Sequence, residues 1–297
     1  MDVLLSGQLL IAALVTGSIY ALVAVGLNLI YGTMRMLNVA HGDLAMIGAY
    51  VAFWMFTLFG MSPFLSLFLA MALSALLAAL FDQFIFKYVM ASSKLLDRAE
   101  ANSLLVFFGI AVILQNGTAA LFTTNPRGFQ YLDQVLQIGN AAITANRLAT
   151  LILSLILVVA VVAFFRFTLV GLALRALIQD RTASQIVGIN IERIFLYSFM
   201  LGFALSGLAG GLVSMYEQIW PFMGFPYTIA AFVIIILGGL GNLFGSLAAG
   251  MILGVLETFG IAITGPNFRS ILIYGVLILV LLLRPQGLFG GKRVVAR

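Results

Sequence analysis

Long apolar runs separated by short polar breaks dominate this 297-residue chain. Nine runs stand out, at 9–31, 44–59, 63–81, 103–123, 148–165, 194–216, 227–240, 246–264 and 270–283. A helix rises about 1.5 Å per residue, so the first run, of 23 residues, spans a hydrocarbon core of about 30 Å. The runs 44–59, 227–240 and 270–283 are short, with 16, 14 and 14 residues. The last gains length if Arg269 and Arg284 snorkel outward. Tyr227–Leu240 ends in Gly238-Gly239-Leu240-Gly241, which does not continue a helix. It reads as a broken or re-entrant element of the kind that lines a pathway. A transmembrane barrel would show alternating segments of roughly ten residues. The pattern therefore predicts an all-α polytopic bundle, a single transmembrane domain over 1–297.

Composition narrows the class further. Apolar residues make up 63% of the chain and charged residues 8%, with a mean hydropathy of +1.17. A soluble fold cannot hide that much apolar surface, and disordered chains are poor in apolar residues. The N-terminus does not read as a cleaved signal, because Asp2 is present and no Lys or Arg precedes Arg35. The net charge of +5 suggests no nucleic acid here; in a membrane chain the basic residues mark topology. Counted over alternate loops, one set holds Arg35, Lys87, Lys94, Arg98, Arg166, Arg175, Arg181, Arg193, Arg284, Lys292, Arg293 and Arg297. The other holds only Arg127, Arg147 and Arg269. The positive-inside rule predicts an outer N-terminus, a cytoplasmic C-terminus and an odd number of spans. Nine satisfies this, as does seven with Tyr227–Thr264 as a re-entrant pair.

Two loops are long. Residues 124–147 lie on the outer side in this reading, and residues 166–193 on the inner side. The inner segment has apolar residues at helical spacing, among them Leu172, Ala176, Leu177, Ala183, Ile186 and Val187, and a break at Gly188. It is expected to form an amphipathic helix that lies on the membrane surface or docks a cytoplasmic partner. Small residues recur every fourth position, including Gly202, Ser206 and Gly210 in the sixth run and Gly250 and Gly254 in the eighth. Such stripes let helix backbones approach, either within the chain or at a dimer seam.

Catalytic chemistry has little to work with. No Walker A sequence, H-E-x-x-H or G-x-S-x-G occurs, no Cys is present and His41 is the only His, so no cofactor or metal is expected. Polar groups inside apolar runs are the functional candidates, because each is costly in lipid. Glu257 lies in the eighth run and is expected to face the interior or a water-filled cavity. Gln115, Asn116, Asn28 and Asn242 are amides that bond between helices or contact a substrate. At the start of the second run, Asp43 is expected to cap the helix and His41 to act as a structural donor at its cytoplasmic end.

Three stretches together resemble one family: Leu37-Asn38-Val39-Ala40-His41-Gly42-Asp43, Gly238-Gly239-Leu240-Gly241-Asn242-Leu243-Phe244-Gly245, and Leu283-Arg284-Pro285-Gln286-Gly287-Leu288-Phe289-Gly290. The family is the branched-chain amino acid ABC transporter permeases, specifically the H-type subunit of leucine/isoleucine/valine importers. The resemblance covers nearly the whole chain. It implies a non-catalytic multi-pass subunit of the bacterial inner membrane. It further implies a second homologous permease, two cytoplasmic ATPase subunits and a periplasmic solute-binding protein as partners. Such permeases carry a coupling sequence E-A-A-x-x-x-G. Thr182-Ala183-Ser184-Gln185-Ile186-Val187-Gly188 matches its spacing with Thr and Ser in place of Glu and Ala. Arg175, Arg181 or Arg193 then becomes a candidate to pair with ATPase carboxylates. Urea and short-amide importers have similar permeases. A self-sufficient secondary transporter or channel would need more intramembrane ion-coupling charge than one clear acid.

Overall fold

The computed structural model describes residues 7–86, 99–138, 141–284 and 287–289. Of the basic residues counted above, Lys87, Lys94, Arg98, Lys292, Arg293 and Arg297 lie outside the described residues, as do Pro285, Gln286 and Gly290 of the tail motif. The helices are α1 (Gly7–Met34), α2 (His41–Phe59), α3 (Pro63–Phe81), α4 (Ala99–Phe122), α5 (Ala145–Phe167), α6 (Leu169–Gln179), α7 (Arg181–Ile186), α8 (Ile191–Ser214), α9 (Gly224–Gly238), α10 (Leu243–Thr264) and α11 (Arg269–Leu283). Among the described residues eight helices are long and apolar enough to cross a membrane; α9 is shorter.

Helix α1 is apolar on every side, and every residue from Gly17 to Met34 is buried. A helix of that kind belongs in the centre of a bundle. It runs antiparallel to α8, and the two backbones nearly touch. A Cβ on Gly26 would lie 2.7 Å from the Gly202 carbonyl oxygen, and one on Gly202 would lie 2.7 Å from that of Gly26. Further along the crossing, the Thr33 hydroxyl donates to Ser198 Oγ at 2.9 Å. The principal packing partner of α1 is α10, and that of α8 is α3. Exchanging α1–α2–α3 with α8–α9–α10 therefore maps each main helix pair onto another. Because α1 and α8 point in opposite directions, the two triplets are inverted copies, the arrangement that puts a binding region between repeats in many transporters.

The inversion explains the short helices. After α1, Arg35 turns the chain at φ +56°, and residues 35–40 run back into the bundle. Helix α2 then starts beside the middle of α1, where His41 Nε2 lies 2.9 Å from the Val23 carbonyl oxygen. Val23 is about 16 Å inside the end of α1 at 1.5 Å per residue. The α8 triplet does the same from the other end. Residues 215–223 turn back inward, and α9 starts with Gly224 against Asp43 and the Tyr227 ring edge-on to Tyr20, 6.2 Å between centroids. From there 15 residues, about 22 Å of helix, bring Gly241 to Gly32 at the opposite end of α1.

The structure adds detail to one long loop and corrects the expectation for the other. The 124–147 loop is partly ordered into strands. It contains an antiparallel hairpin, β1 (Val135–Ile138) with β2 (Ala141–Thr144), registered Val135↔Thr144 to Ile138↔Ala141. The same loop pairs Arg127 with Ile219 through two 2.8 Å backbone hydrogen bonds, which ties it to the 215–223 loop. The 166–193 segment is not one amphipathic helix. The chain breaks at Asp180, whose carboxylate caps α7 by accepting from the Ala183 N–H at 2.9 Å. Gly188 then takes φ +82°, and Asn190 caps α8. Each cap satisfies orphan amides that a continuous helix would not have exposed.

The small-residue stripes are consumed inside this chain. Gly250 lies against Ala21, Gly254 against Gly17, Gly210 against Ala45, and the Ser206 hydroxyl donates to the His41 carbonyl at 2.7 Å.

Candidate functional site

At the hairpin end of the bundle, α1, α5, α9, α10 and the 215–223 loop enclose a cavity of about 370 Å³. Its floor is a closed charge network. Arg269 Nε lies 2.6 Å from Glu257 Oε1, the Tyr20 hydroxyl donates to Glu257 Oε2 at 2.6 Å, and Arg269 Nη2 donates to Tyr20 Oη at 2.9 Å. Glu257 is 3% exposed while the Arg269 side chain is 42% exposed. The carboxylate thus lies in the interior, with its lone pairs taken by one cation and one hydroxyl. Arg269, expected to snorkel outward, turns toward Glu257 instead, because a buried carboxylate without a counter-charge is far costlier than a bent arginine.

The wall of the cavity is different. Glu217 and Arg147 both line it, and Arg147 and Arg269 are the cations whose fields reach Glu217. Yet among the described residues neither Glu217 nor the Arg147 guanidinium makes an ion pair. The nearest partner of Glu217 is the Tyr227 hydroxyl, which donates at a long 3.4 Å. Leu9, Ile19, Ile261 and Ala262 supply the apolar lining. A second cavity of about 350 Å³, lined by Phe129, Gln130, Asp133 and Asn146, shares Tyr216 and Glu217 with the first. Asn146 Nδ2 donates to the Met215 carbonyl at 3.0 Å and fixes the start of the loop that carries both.

Deeper in the bundle, the N-termini of α2 and α9 meet. The Gly42 N–H donates to Thr228 Oγ1 at 2.9 Å, and the Thr228 hydroxyl donates to the Val39 carbonyl at 3.0 Å. Asp43 does not cap α2. The cap position is Ala40, and Asp43 lies in the first turn with Oδ1 accepting from Gln115 Nε2 at 2.9 Å. There its carboxylate faces the positive ends of two helices at once. His41 is fully buried at this mid-bundle position rather than at a cytoplasmic surface. Among the described residues His41 Nδ1, Asp43 Oδ2 and both amide atoms of Asn38 have no protein partner, and such groups are ordinarily satisfied by internal water.

The other amides divide sharply. Asn28 clamps the α9–α10 turn: Nδ2 donates to the Gly239 and Asn242 carbonyls and to Ser246 Oγ, and Oδ1 accepts from the Gly241 N–H at 2.7 Å. Asn242 caps α10 and donates to the Phe289 carbonyl at 2.9 Å, and the Leu288 N–H donates to the Leu237 carbonyl. The tail motif thus seals the Gly-rich turn. Asn116, expected in the interior, is exposed and donates to the Val112 carbonyl one turn back. Of the coupling candidates, Thr182, Ala183, Gly188 and Arg193 are exposed, Ser184 is buried, Arg175 is half-buried, and Arg181 stacks over the Phe195 ring at 5.1 Å.

Of the cavity's charged and aromatic lining, the sequence pointed to Glu257 alone as an interior group. Arg147 counted only as a topology marker, Arg269 as a marker expected to snorkel outward, and Tyr20, Tyr216, Glu217 and Tyr227 not at all. Residues 216 and 217 lie at the end of an apolar run, where a lone Glu looks like a loop residue. An acid just before the short, Gly-terminated run 227–240 was the available signal.

Comparison with known proteins places the sequence in a family. The family model described as "Branched-chain amino acid transport system / permease component" matches residues 9–281. The chain is 31% identical to the high-affinity branched-chain amino acid transport system permease protein BraD of Pseudomonas aeruginosa, over 97% of this chain and 96% of that protein. It is 30% identical to LivH of Salmonella typhimurium, over 94% of this chain and 93% of that protein. LivM of Escherichia coli matches 40% of this chain and 28% of its own length at 30% identity. No solved structure matches significantly. The chain, a multi-pass membrane protein of inverted helix triplets, belongs to the family of branched-chain amino acid transport permease components.

Proposed function

We propose that this chain is one of two permease subunits of an ATP-driven importer in the bacterial inner membrane. It forms part of the path for branched-chain amino acids that a periplasmic binding protein delivers. The observation that carries this reading is the end-to-end likeness to BraD and LivH, permeases named for that transport. The shorter match to LivM supports a homologous second subunit as the partner.

In this reading the hairpin end and its cavity face the periplasm, and the α6–α7 end faces the cytoplasm. The 12-to-3 division of basic residues supports that orientation. The course of the chain supports nine passages rather than seven. Residues 215–223 and α9 together reach from the end of α8 to the level of Gly32, so α9 completes a passage that an extended loop begins.

The α6–α7 elbow is the site for an ATPase subunit. Ile186 and Val187 are 81% and 73% exposed at its tip, flanked by Arg181 and Arg193. Apolar side chains ringed by cations suit a partner that brings carboxylates around an apolar recess. The complex, purified through a tag on this chain and sealed in vesicles with ATP inside, is expected to take up leucine, isoleucine and valine when binding protein is added outside. Gly188→Trp, which removes the φ +82° turn at the elbow, should insert normally but cut uptake severalfold and remove substrate-stimulated ATP hydrolysis. Wild-type vesicles that take up urea or acetamide in place of these amino acids would overturn the reading.

A further inference from the structure

We propose that the cavity at the hairpin end is itself an amino-acid site, with Glu217 and the Tyr227 hydroxyl taking the ammonium and Arg147 taking the carboxylate. The inference rests on the transport reading above and adds that the permease, not only the delivering protein, recognises the zwitterionic head group.

The charge pattern points to the ligand. Tyr20, Glu257 and Arg269 already satisfy one another. Glu217 and Arg147 line the same space, and among the described residues they form no ion pair. Two opposite charges left open on one small cavity match a ligand that carries both charges on either side of one carbon. A simple cation would leave Arg147 unanswered, and a simple anion would leave Glu217 unanswered. Glu217 and Arg147 are both exposed on the cavity lining, where a ligand carrying both charges can pair with each, so the zwitterion fits better than either. The remaining wall suits an aliphatic side chain, with Ile19, Ile261 and Ala262 facing the space. A volume of about 370 Å³ falls in the range of small-molecule pockets.

The test uses the complex purified through a tag on this chain, held in lipid nanodiscs without binding protein, and titrated with tritiated L-leucine. Saturable binding is expected. Leucinamide, which lacks the carboxylate, and 4-methylpentanoate, which lacks the ammonium, should each compete at least about tenfold more weakly than L-leucine. Glu217→Gln and Arg147→Gln should each weaken leucine binding by about tenfold or more, the loss expected for one charge-assisted hydrogen bond. Glu217→Asp and Arg147→Lys keep the charges and should recover most of it, which a variant that merely misfolds would not. Equal competition by both analogues, unchanged binding in both Gln variants, or no saturable binding at millimolar leucine overturns the proposal. If wild-type vesicles still import leucine with binding protein, only the head-group site falls. If they do not, the transport reading falls with it.

Discussion

Gly202→Leu is expected to yield no folded protein. The residue stands where α1 crosses α8, and a Cβ there would meet the Gly26 carbonyl oxygen at 2.7 Å and Ile30 side-chain atoms at 2.7 and 2.8 Å. Neither side can give way. Gly26 faces Gly202 reciprocally, and α1 is buried on all sides between α8 and α10. Overfilling a packed interior costs about 1–3 kcal/mol where side chains can repack, and more where backbones must separate. Here the two inverted triplets would be pushed apart along their common seam, losing the contacts that small residues provide in lipid. Gly275→Leu is the control, since nothing lies within 4 Å of a Cβ there. In size-exclusion chromatography of detergent-solubilised fusion protein, Gly275→Leu should give the wild-type peak and Gly202→Leu only aggregate. A monodisperse Gly202→Leu peak would mean that the crossing is not tight.

Arg269→Gln has the second largest expected effect. It strands the Glu257 carboxylate, 3% exposed, with only the Tyr20 hydroxyl for company. Breaking a buried pair from one side costs about 3–5 kcal/mol, and the 42% exposure of Arg269 places this case lower, at about 2–3 kcal/mol. The asymmetry is informative. Removing the charge from Glu257 leaves a guanidinium that can turn to solvent, so Glu257→Gln should cost less than Arg269→Gln. Glu257→Leu should cost more than Glu257→Gln, because it also removes the acceptor for Tyr20. The double variant Glu257→Gln/Arg269→Gln should regain more than half of what Arg269→Gln loses, the signature of coupling between contacting residues. Thermal unfolding of the solubilised complex reads all four, with a fall of roughly 5 °C expected for Arg269→Gln. Equal midpoints for the two single Gln variants would contradict the ion-pair account.

The parts of this architecture that depend on apolar length and small-residue spacing were legible in the sequence. The nine runs correspond to α1–α5 and α8–α11, and the four-residue stripes mark the seams where α1 meets α10 and α2 meets α8. What was not legible depends on pairings across long separations. Glu257 has no cation within ten residues, and only the turn through Gly265 and Pro266–Phe268 brings Arg269 back to it. Asp43 has the look of a cap because Asp is a good one. Tertiary structure instead places Ala40 at the cap and offers Asp43 a better partner in Gln115, 72 positions away. Asn116 shows the reverse. Its period along α4 does not distinguish it from Gln115, yet one residue of rotation turns it outward. The strand pair 135–138 and 141–144 escaped because two four-residue segments are too short to show a clear period.

The most direct test of the account is which side of the membrane opens onto the cavity. The chain contains no Cys, so a single Thr258→Cys in its lining is a clean reporter. In right-side-out vesicles, a membrane-impermeant thiol reagent added outside should label Cys at 258 and leave Thr182→Cys, on α7, untouched. In inside-out vesicles the two results should exchange. Labelling of position 258 only from the cytoplasmic side would contradict the account, because the cavity could not then be where an imported amino acid enters.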